Sequence, residues 1–290
     1  MDIEPEIPEG INHSKAHPLA DFGLMLLGAV GFVLAVVGLA HLLAGFLVGY
    51  IPFEAEEKFL QALPLSEQFE SQGEFSEKQQ ALQALADRLS AHMDLPDGMV
   101  IQAHYDSADI PNAYATLAGN IVIYQGLIDQ TSSENGLAMV VAHEIAHIKH
   151  RDPMMSVGRG AVTMLGIAAL SGLGDSSVMA NIAGFTGAGA LSQFSRTQES
   201  RADEDAVAAV LAEYGTLAGA DEFFTKMLDD MDESGSFDSL FFSTHPPTDE
   251  RIERITAGSS ANDENLESTL RPLPDVLKSC AEACAEALED

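Results

Sequence analysis

The chain has 290 residues, with 45 acidic against 14 basic side chains and a formal net charge of −31. With no basic surface to neutralise phosphates, that balance excludes nucleic acid as the main partner. The length suffices for one catalytic core of ordinary size plus an anchor, and the two cysteines do not settle a redox compartment.

Residues 1–21 read as a polar, acidic tail. Residues 22–53 contain no Asp, Glu, Lys or Arg, and His41 is their only ionisable side chain. Such a run exceeds the ~20 residues a bilayer core requires, and Tyr50 and Phe53 suit the interface. Asp2, Glu4, Glu6 and Glu9 stand where a secretory signal would be basic, and the apolar run is too long for one. Residues 22–53 are therefore expected to be a retained, single-pass anchor in the lipid bilayer. Gly31, Gly38 and Gly45 recur every seven residues, and Gly45-x-x-x-Gly49 matches the small-residue pattern of packing membrane helices. That pattern is a route to self-association, although glycine is common in such helices anyway. Lys15 before the span and Lys58 after it give a tie in basic flanks. The long acidic remainder, poor in basic residues, favours an extracytoplasmic catalytic part.

Residues 54–75 form a juxtamembrane connector with Pro64 and Gly73. Residues 76–93 have helical spacing of Leu82, Leu85 and Leu89, with Glu77 near the start. Over 99–124 the β-branched stretches Val100-Ile101 and Ile121-Val122-Ile123 predict a small sheet with a turn at Ala118-Gly119-Asn120. An edge strand beside a cleft would accept a peptide as an added strand, reading backbone more than side chains.

Residues 143–147 read His-Glu-Ile-Ala-His. On a helix this spacing puts two imidazoles one turn apart on one face, where both can bind a single zinc ion. Glu144 then projects beside the metal, placed to take a proton from a water. Thr131 and Glu134 suggest a capping box, and Leu137, Val140, Val141, Ile145 and Ile148 give this helix one buried face. A third histidine six residues after His147 would define another zinc class, but that position is Pro153. His150 is poorly placed to join the other two and reads as a surface residue beside Arg151 and Asp152.

Two Gly- and Ala-rich stretches, 160–172 and 178–191, follow, joined by Gly174-Asp175-Ser176-Ser177. Each is shorter than a spanning helix. The region 158–192 is expected to be a helical hairpin beside the site, touching the bilayer surface or buried. Residues 199–203 then read Glu-Ser-Arg-Ala-Asp. Glu199 offers the third, carboxylate ligand, and Asp203, one turn later, can orient a ligand histidine. A solvated polar helix is the competing reading of 198–204. Residues 206–230 look helical, with Leu211 and Leu217 among their apolar positions, and 229–239 reads as a polar loop. A polar linker follows Gly258, then a short helix from Pro274 that carries Cys280 and Cys284. Those cysteines line up with Val276, Leu277 and Leu288 as a small apolar stripe. No internal repeat is visible.

His-Glu-Ile-Ala-His, Glu-Ser-Arg-Ala-Asp, and Ser243-Thr244-His245-Pro246-Pro247-Thr248 with Arg251-Ile252, in that order, resemble the M48 (Ste24/HtpX-like) membrane-associated zinc metallopeptidases. Asn112-Ala113-Tyr114-Ala115, with residues 119–127, resembles the family's hairpin and edge strand before the zinc helix. The resemblance covers roughly residues 75–257. It implies one zinc ion on His143, His147 and Glu199, Glu144 as general base and Asp203 behind the ligands, with His245 near the metal. His245 then has two possible tasks, stabilising the oxyanion or closing the zinc as a fourth ligand. Arg251 either pairs with a site carboxylate or begins a helix. Members with true spans in the hairpin region would carry longer apolar runs than this chain does.

The expected fold is mainly α with a small β-sheet, a zincin-like catalytic domain over 76–257 preceded by one transmembrane helix. The expected activity is that of a gluzincin-type endopeptidase acting on membrane-associated or misfolded polypeptides. A zinc-binding chaperone or scaffold with little proteolytic activity is the alternative, against which the intact Glu144 argues. An exopeptidase would need an amine-binding motif, and none is apparent.

Overall fold

The computed structural model describes residues 18–61, 76–171, 194–234, 241, 245, 251, 253–255 and 270–278. Most of the acidic tail, the rest of the connector and the second hairpin arm lie outside these residues. So do 242–244, 246–250 and 252 of the third motif, most of the late linker, and Cys280 with Cys284.

Helix α1 (Pro18–Leu47) continues as a 3-10 turn through Tyr50. It starts inside what reads as tail, because Pro18 suits a first helical turn and only Asp21 is charged there. It is the one helix among the described residues long and apolar enough to cross a membrane, with mean hydropathy 2.5. Pro52 then breaks the helix, and α2 (Phe53–Gln61) occupies the first part of the connector. The expected connector is thus partly helical.

α3 (Ser76–Ser90) buries Leu82, Leu85 and Leu89, as their spacing predicts. The sheet has strands β1 (Gln102–Asp106), β2 (Ala113–Ala115) and β3 (Asn120–Tyr124) in the order β1-β3-β2. β1 is parallel to β3, with Ala103 opposite Ile121, and β2 is antiparallel to β3, with Ala113 opposite Ile123. Ala103, Tyr105, Ala113, Ala115, Ile121 and Ile123 face the core. The turn Leu117–Gly119 places Ala118 at φ 58° and Gly119 at φ 79°. A Cβ on Gly119 would lie 1.9 Å from the Val100 carbonyl oxygen, so only glycine fits.

The two sheet edges are treated differently. Gln83 of α3 donates to Ile101 O at 3.0 Å and accepts from Ala103 N at 2.9 Å. Gln79 accepts from Tyr105 N at 2.8 Å and donates to Ala103 O. Two glutamine side chains thereby close the β1 edge against a further strand. On β2, Thr116 N and Asn112 O bond to Asn120 O and Tyr124 N of β3. Antiparallel alternation turns the backbone groups of Ala113 and Ala115 the other way, toward the outer edge.

α4 (Glu134–Lys149) is capped by Ser133, whose hydroxyl accepts from Gly136 N at 3.1 Å. The Thr131 capping box is therefore replaced, since Thr131 donates to Ile128 O instead. Nor does α4 have a single buried face. Residues 134–148 are buried all round, the pattern of a central helix. α5 (Asp152–Ser171) begins after Arg151, which turns the chain at φ 61°. α6 (Arg196–Tyr214) has a Ser195/Gln198 capping box and ends at Gly215, φ 73°. α7 (Glu222–Ser234) follows. The single helical stretch expected over 206–230 is thus split at Gly215. Leu211 is exposed and the loop expected from 229 begins as helix. A 3-10 turn, Asp275–Leu277, stands where a short helix after Pro274 is expected.

α5 runs antiparallel along α1. Arg159 and Met155 approach Gly45, while Val37 lies against Gly166. The first hairpin arm is therefore longer than its apolar part and packs on α1. Gly45 is used within the chain by Arg159, whereas Gly31, Gly38 and Gly49 meet nothing within 4 Å.

Candidate metal centre

Asp203, His143, His147, Glu199 and Arg251 come together at the crossing of α4 and α6. The two imidazoles of α4 bring their Nε2 atoms to 3.1 Å of each other. Glu199, in the first turn of α6, sets Oε2 3.4 Å from His143 Nε2 and Oε1 3.5 Å from His147 Nε2. His245 adds Nδ1, 3.3 Å from His143 Nε2 and 3.1 Å from Glu199 Oε1. All four side chains are buried, and one donor atom from each lies within 4.8 Å of the others.

The spacing tests whether a metal would fit. Tetrahedral corners around zinc, with bonds of about 2.0–2.1 Å, stand about 3.3–3.4 Å apart. The five separations above centre on that value. Tautomers point the same way. His143 Nδ1 lies 3.0 Å from Asp203 Oδ1, and His147 Nδ1 lies 2.9 Å from Asp152 Oδ2. In neutral rings, protons placed on Nδ1 beside those carboxylates leave both Nε2 atoms as bare lone pairs. Two lone pairs and a carboxylate oxygen then face one another in a dry pocket, which a cation or protons must compensate.

The titration behaviour agrees. Burial alone would lower both histidines, but Asp203 and Glu199 raise His143 to about 10. Burial likewise opposes Asp152 and Glu199 at His147, and they prevail, so it too is raised. Burial would raise Glu199 and Asp203, but their charged and hydrogen-bonding partners hold both well below the usual carboxylate range: His245, His143 and His147 for Glu199, His143 and Arg251 for Asp203. His245 goes down because burial outweighs Glu144 and Glu199.

Glu144 occupies a different position. Its Oε2 accepts the Ala115 N–H of β2 at 2.8 Å. Its Oε1 is buried without a hydrogen-bond partner among the described residues, 3.4 Å from His245 Nε2. One oxygen is tethered to the edge strand and the other is free at the cluster.

Arg251 clasps both carboxylates, Asp203 and Glu199. Its Nε and Nη2 reach Asp203 at 2.7 and 2.9 Å, and Nη1 reaches Glu199 Oε2 at 2.6 Å. Of the two readings open in the sequence, the pairing with site carboxylates is observed. His150 turns away to Asp205 at 2.7 Å.

The residue missed by sequence reasoning is Asp152. It is fully buried, and its second oxygen accepts from Gln198 at 2.7 Å and Arg201 at 2.9 Å. Its available signal was a carboxylate five residues after His147, at a break marked by Pro153. Phe194 was also missed. It stacks on His147 at 4.1 Å, while Phe241 stacks on His245 at 4.6 Å, shielding the cluster from water.

Comparison with known proteins gives the same outline. The family model for peptidase family M48 matches residues 76–258. A protease HtpX homolog of Salinibacter ruber is 31% identical over 204 residues, 60% of this chain and 72% of the relative. A second HtpX homolog, from Desulfatibacillum aliphaticivorans, is 28% identical over 247 residues, 68% of this chain and 78% of the relative. The mitochondrial metalloendopeptidase OMA1 of Schizosaccharomyces pombe is 29% identical over 148 residues, half of this chain and 42% of that protein.

Proposed function

The chain belongs to peptidase family M48, and on that premise we propose that it is a membrane-anchored zinc metalloendopeptidase of the gluzincin type. The observation that carries the reading is Glu144, pinned through one oxygen to β2 and free through the other beside four converging donors. His143, His147 and Glu199 would hold the ion, with Asp203, Asp152 and Arg251 fixing their orientation. Two imidazoles and a carboxylate at tetrahedral spacing suit zinc better than a hard cation such as magnesium. Bound there, zinc supplies Lewis acidity toward a water and a peptide carbonyl.

The chain's own residues do the rest. A substrate in extended form pairs with the outward backbone of Ala113 and the carbonyl of Ala115, whose N–H is held by Glu144, and these main-chain contacts position its peptide bond. Glu144 Oε1 accepts a proton from the attacking water and returns it to the departing amine. His245, whose Nδ1 faces the same cluster, would be a fourth donor to the ion. Its alternative task at the oxyanion would use Nε2–H, which here points toward Glu144. Backbone recognition beside a membrane helix favours internal cleavage of membrane-associated or misfolded polypeptides, and the scarcity of basic flanks favours an extracytoplasmic catalytic domain.

The experiment compares native protein, Glu144→Gln and Glu199→Ala in detergent for zinc content and casein cleavage. Glu144→Gln is expected to retain zinc and lose activity by ~10²–10⁴-fold, and Glu199→Ala to lose zinc. Native-rate cleavage by Glu144→Gln would remove the assigned base. Zinc in all three proteins without cleavage by the native chain would favour a scaffold.

A further inference from the structure

Arg159 is a basic residue that neither the candidate metal centre nor an ion pair among the described residues accounts for. It lies on α5, two turns beyond Asp152, and its guanidinium leans on α1. Nη2 stands 3.4 Å from where a Cβ on Gly45 would be, so the bare glycine backbone admits it. Its Nε is buried without a hydrogen-bond partner, and no carboxylate among the described residues pairs with it. The other cation at this end, Arg151, is already paired with Glu56 at 2.6 Å.

Its level along α1 is that of an interface. Phe46 and Tyr50 flank Gly45 with rings 5.2 Å apart, and both are well exposed; aromatic belts sit at headgroup depth. Further from that level, an apolar groove of about 280 Å³ opens between the same two helices. Phe32, Val33, Val36 and Val37 line it from α1, and Val162 and Leu165 from α5. Thirteen residues separate Gly45 from Phe32, about 20 Å along a helix, against about 15 Å for one bilayer leaflet.

We propose that the α1–α5 seam binds one acidic phospholipid, its phosphate on Arg159 and an acyl chain in the groove. The site is amphipathic in the order a lipid requires, with an unpaired guanidinium at the interface and hydrocarbon-lined space below it. A guanidinium matches a phosphate in charge and in its paired donors. In a chain of net charge −31 an anionic headgroup meets repulsion over most of the surface, which makes an unopposed cation at this depth selective. The inference rests on α1 spanning the bilayer.

The test uses the full chain in micelles doped with equal phosphatidylglycerol and phosphatidylcholine, followed by mass spectrometry of the retained lipid. The native protein is expected to hold one lipid, with phosphatidylglycerol preferred by about tenfold. Arg159→Gln should equalise the two lipids, and Ala40→Phe, which fills the groove that Ala40 also lines, should release both. Zinc content and circular dichroism establish that each variant is folded. The proposal is overturned if the native protein carries no lipid, if Arg159→Gln keeps the preference, or if inorganic phosphate alone displaces the lipid. An alkaline wash separates the two layers of the argument. Protein stripped from membranes refutes the anchor, whereas protein that stays without lipid preference refutes the lipid site alone.

Discussion

Asp152→Asn is the substitution that most sharply tests how the ligands are held. Native Asp152 gives one oxygen to His147 Nδ1 at 2.9 Å and the other to Gln198 and Arg201. An asparagine keeps the shape, but it loses the charge that makes the His147 bond charge-assisted, about twice the strength of a neutral one. If its oxygen stays on His147, its NH₂ faces two donors. If it flips, NH₂ faces His147 and the ring must change tautomer. Groups of this kind typically contribute 10–100-fold in metal affinity, about 1.4–2.7 kcal/mol. A chelator competition should therefore show a zinc Kd weaker by about that factor, at unchanged helix content. Arg201→Ala is the control. Arg201 is 40% exposed, and partly solvated pairs contribute about 0–1 kcal/mol, so its effect should stay below about fivefold. A Kd for Asp152→Asn within about twofold of native, or an equal loss in Arg201→Ala, would refute the reasoning.

Arg251→Ala should destabilise the fold itself, by about 3–5 kcal/mol, because it leaves Asp203 and Glu199 charged and buried without their clasp; urea unfolding of zinc-free protein reads this directly. Zinc retention should weaken as pH falls, since His143 and His147 both hold protons more tightly than free histidine and each must lose one to bind. In zinc-free protein the sign reverses. The raised His143 contributes stability that is complete below its ordinary 6.5 and lost as pH rises through about 10, which thermal melts across that window measure. Replacing Gln79 and Gln83 by Ala together should uncover the β1 edge, costing about 1–3 kcal/mol in buried, unpaired backbone groups and raising aggregation in light scattering.

The parts legible from sequence are those whose geometry is local. One helical turn relates His143 to His147 and another relates Glu199 to Asp203, so spacing alone places each pair on a face. Asp152 was not legible because its role depends on Arg151 turning the chain at φ 61°, which folds the start of α5 back onto the end of α4. The glutamines that close β1 escape notice for a similar reason. Their backbone partners lie on a strand about twenty residues away, and nothing in a Gln-x-x-x-Gln spacing names them. The burial of α4 on every side misleads a periodicity reading. A helix enclosed by the sheet, α3, α6 and α5 need not segregate apolar from polar residues, and here its polar side chains line the candidate metal centre. Where the helices stop was legible only in part, as Gly215 at the end of α6 shows.

Asp152 is at once the clamp on His147 and the first residue of the helix that packs on the anchor. Seven helical residues, about 10 Å, separate it from Arg159, which the lipid proposal sets at the interfacial level. A polypeptide leaving the bilayer in extended form covers that height in about three residues. On the proposed function, the fold would act as a ruler. Bonds a few residues from where a substrate emerges would lie within reach of the cleft, and a chain still folded close to the surface would first have to surrender that short stretch.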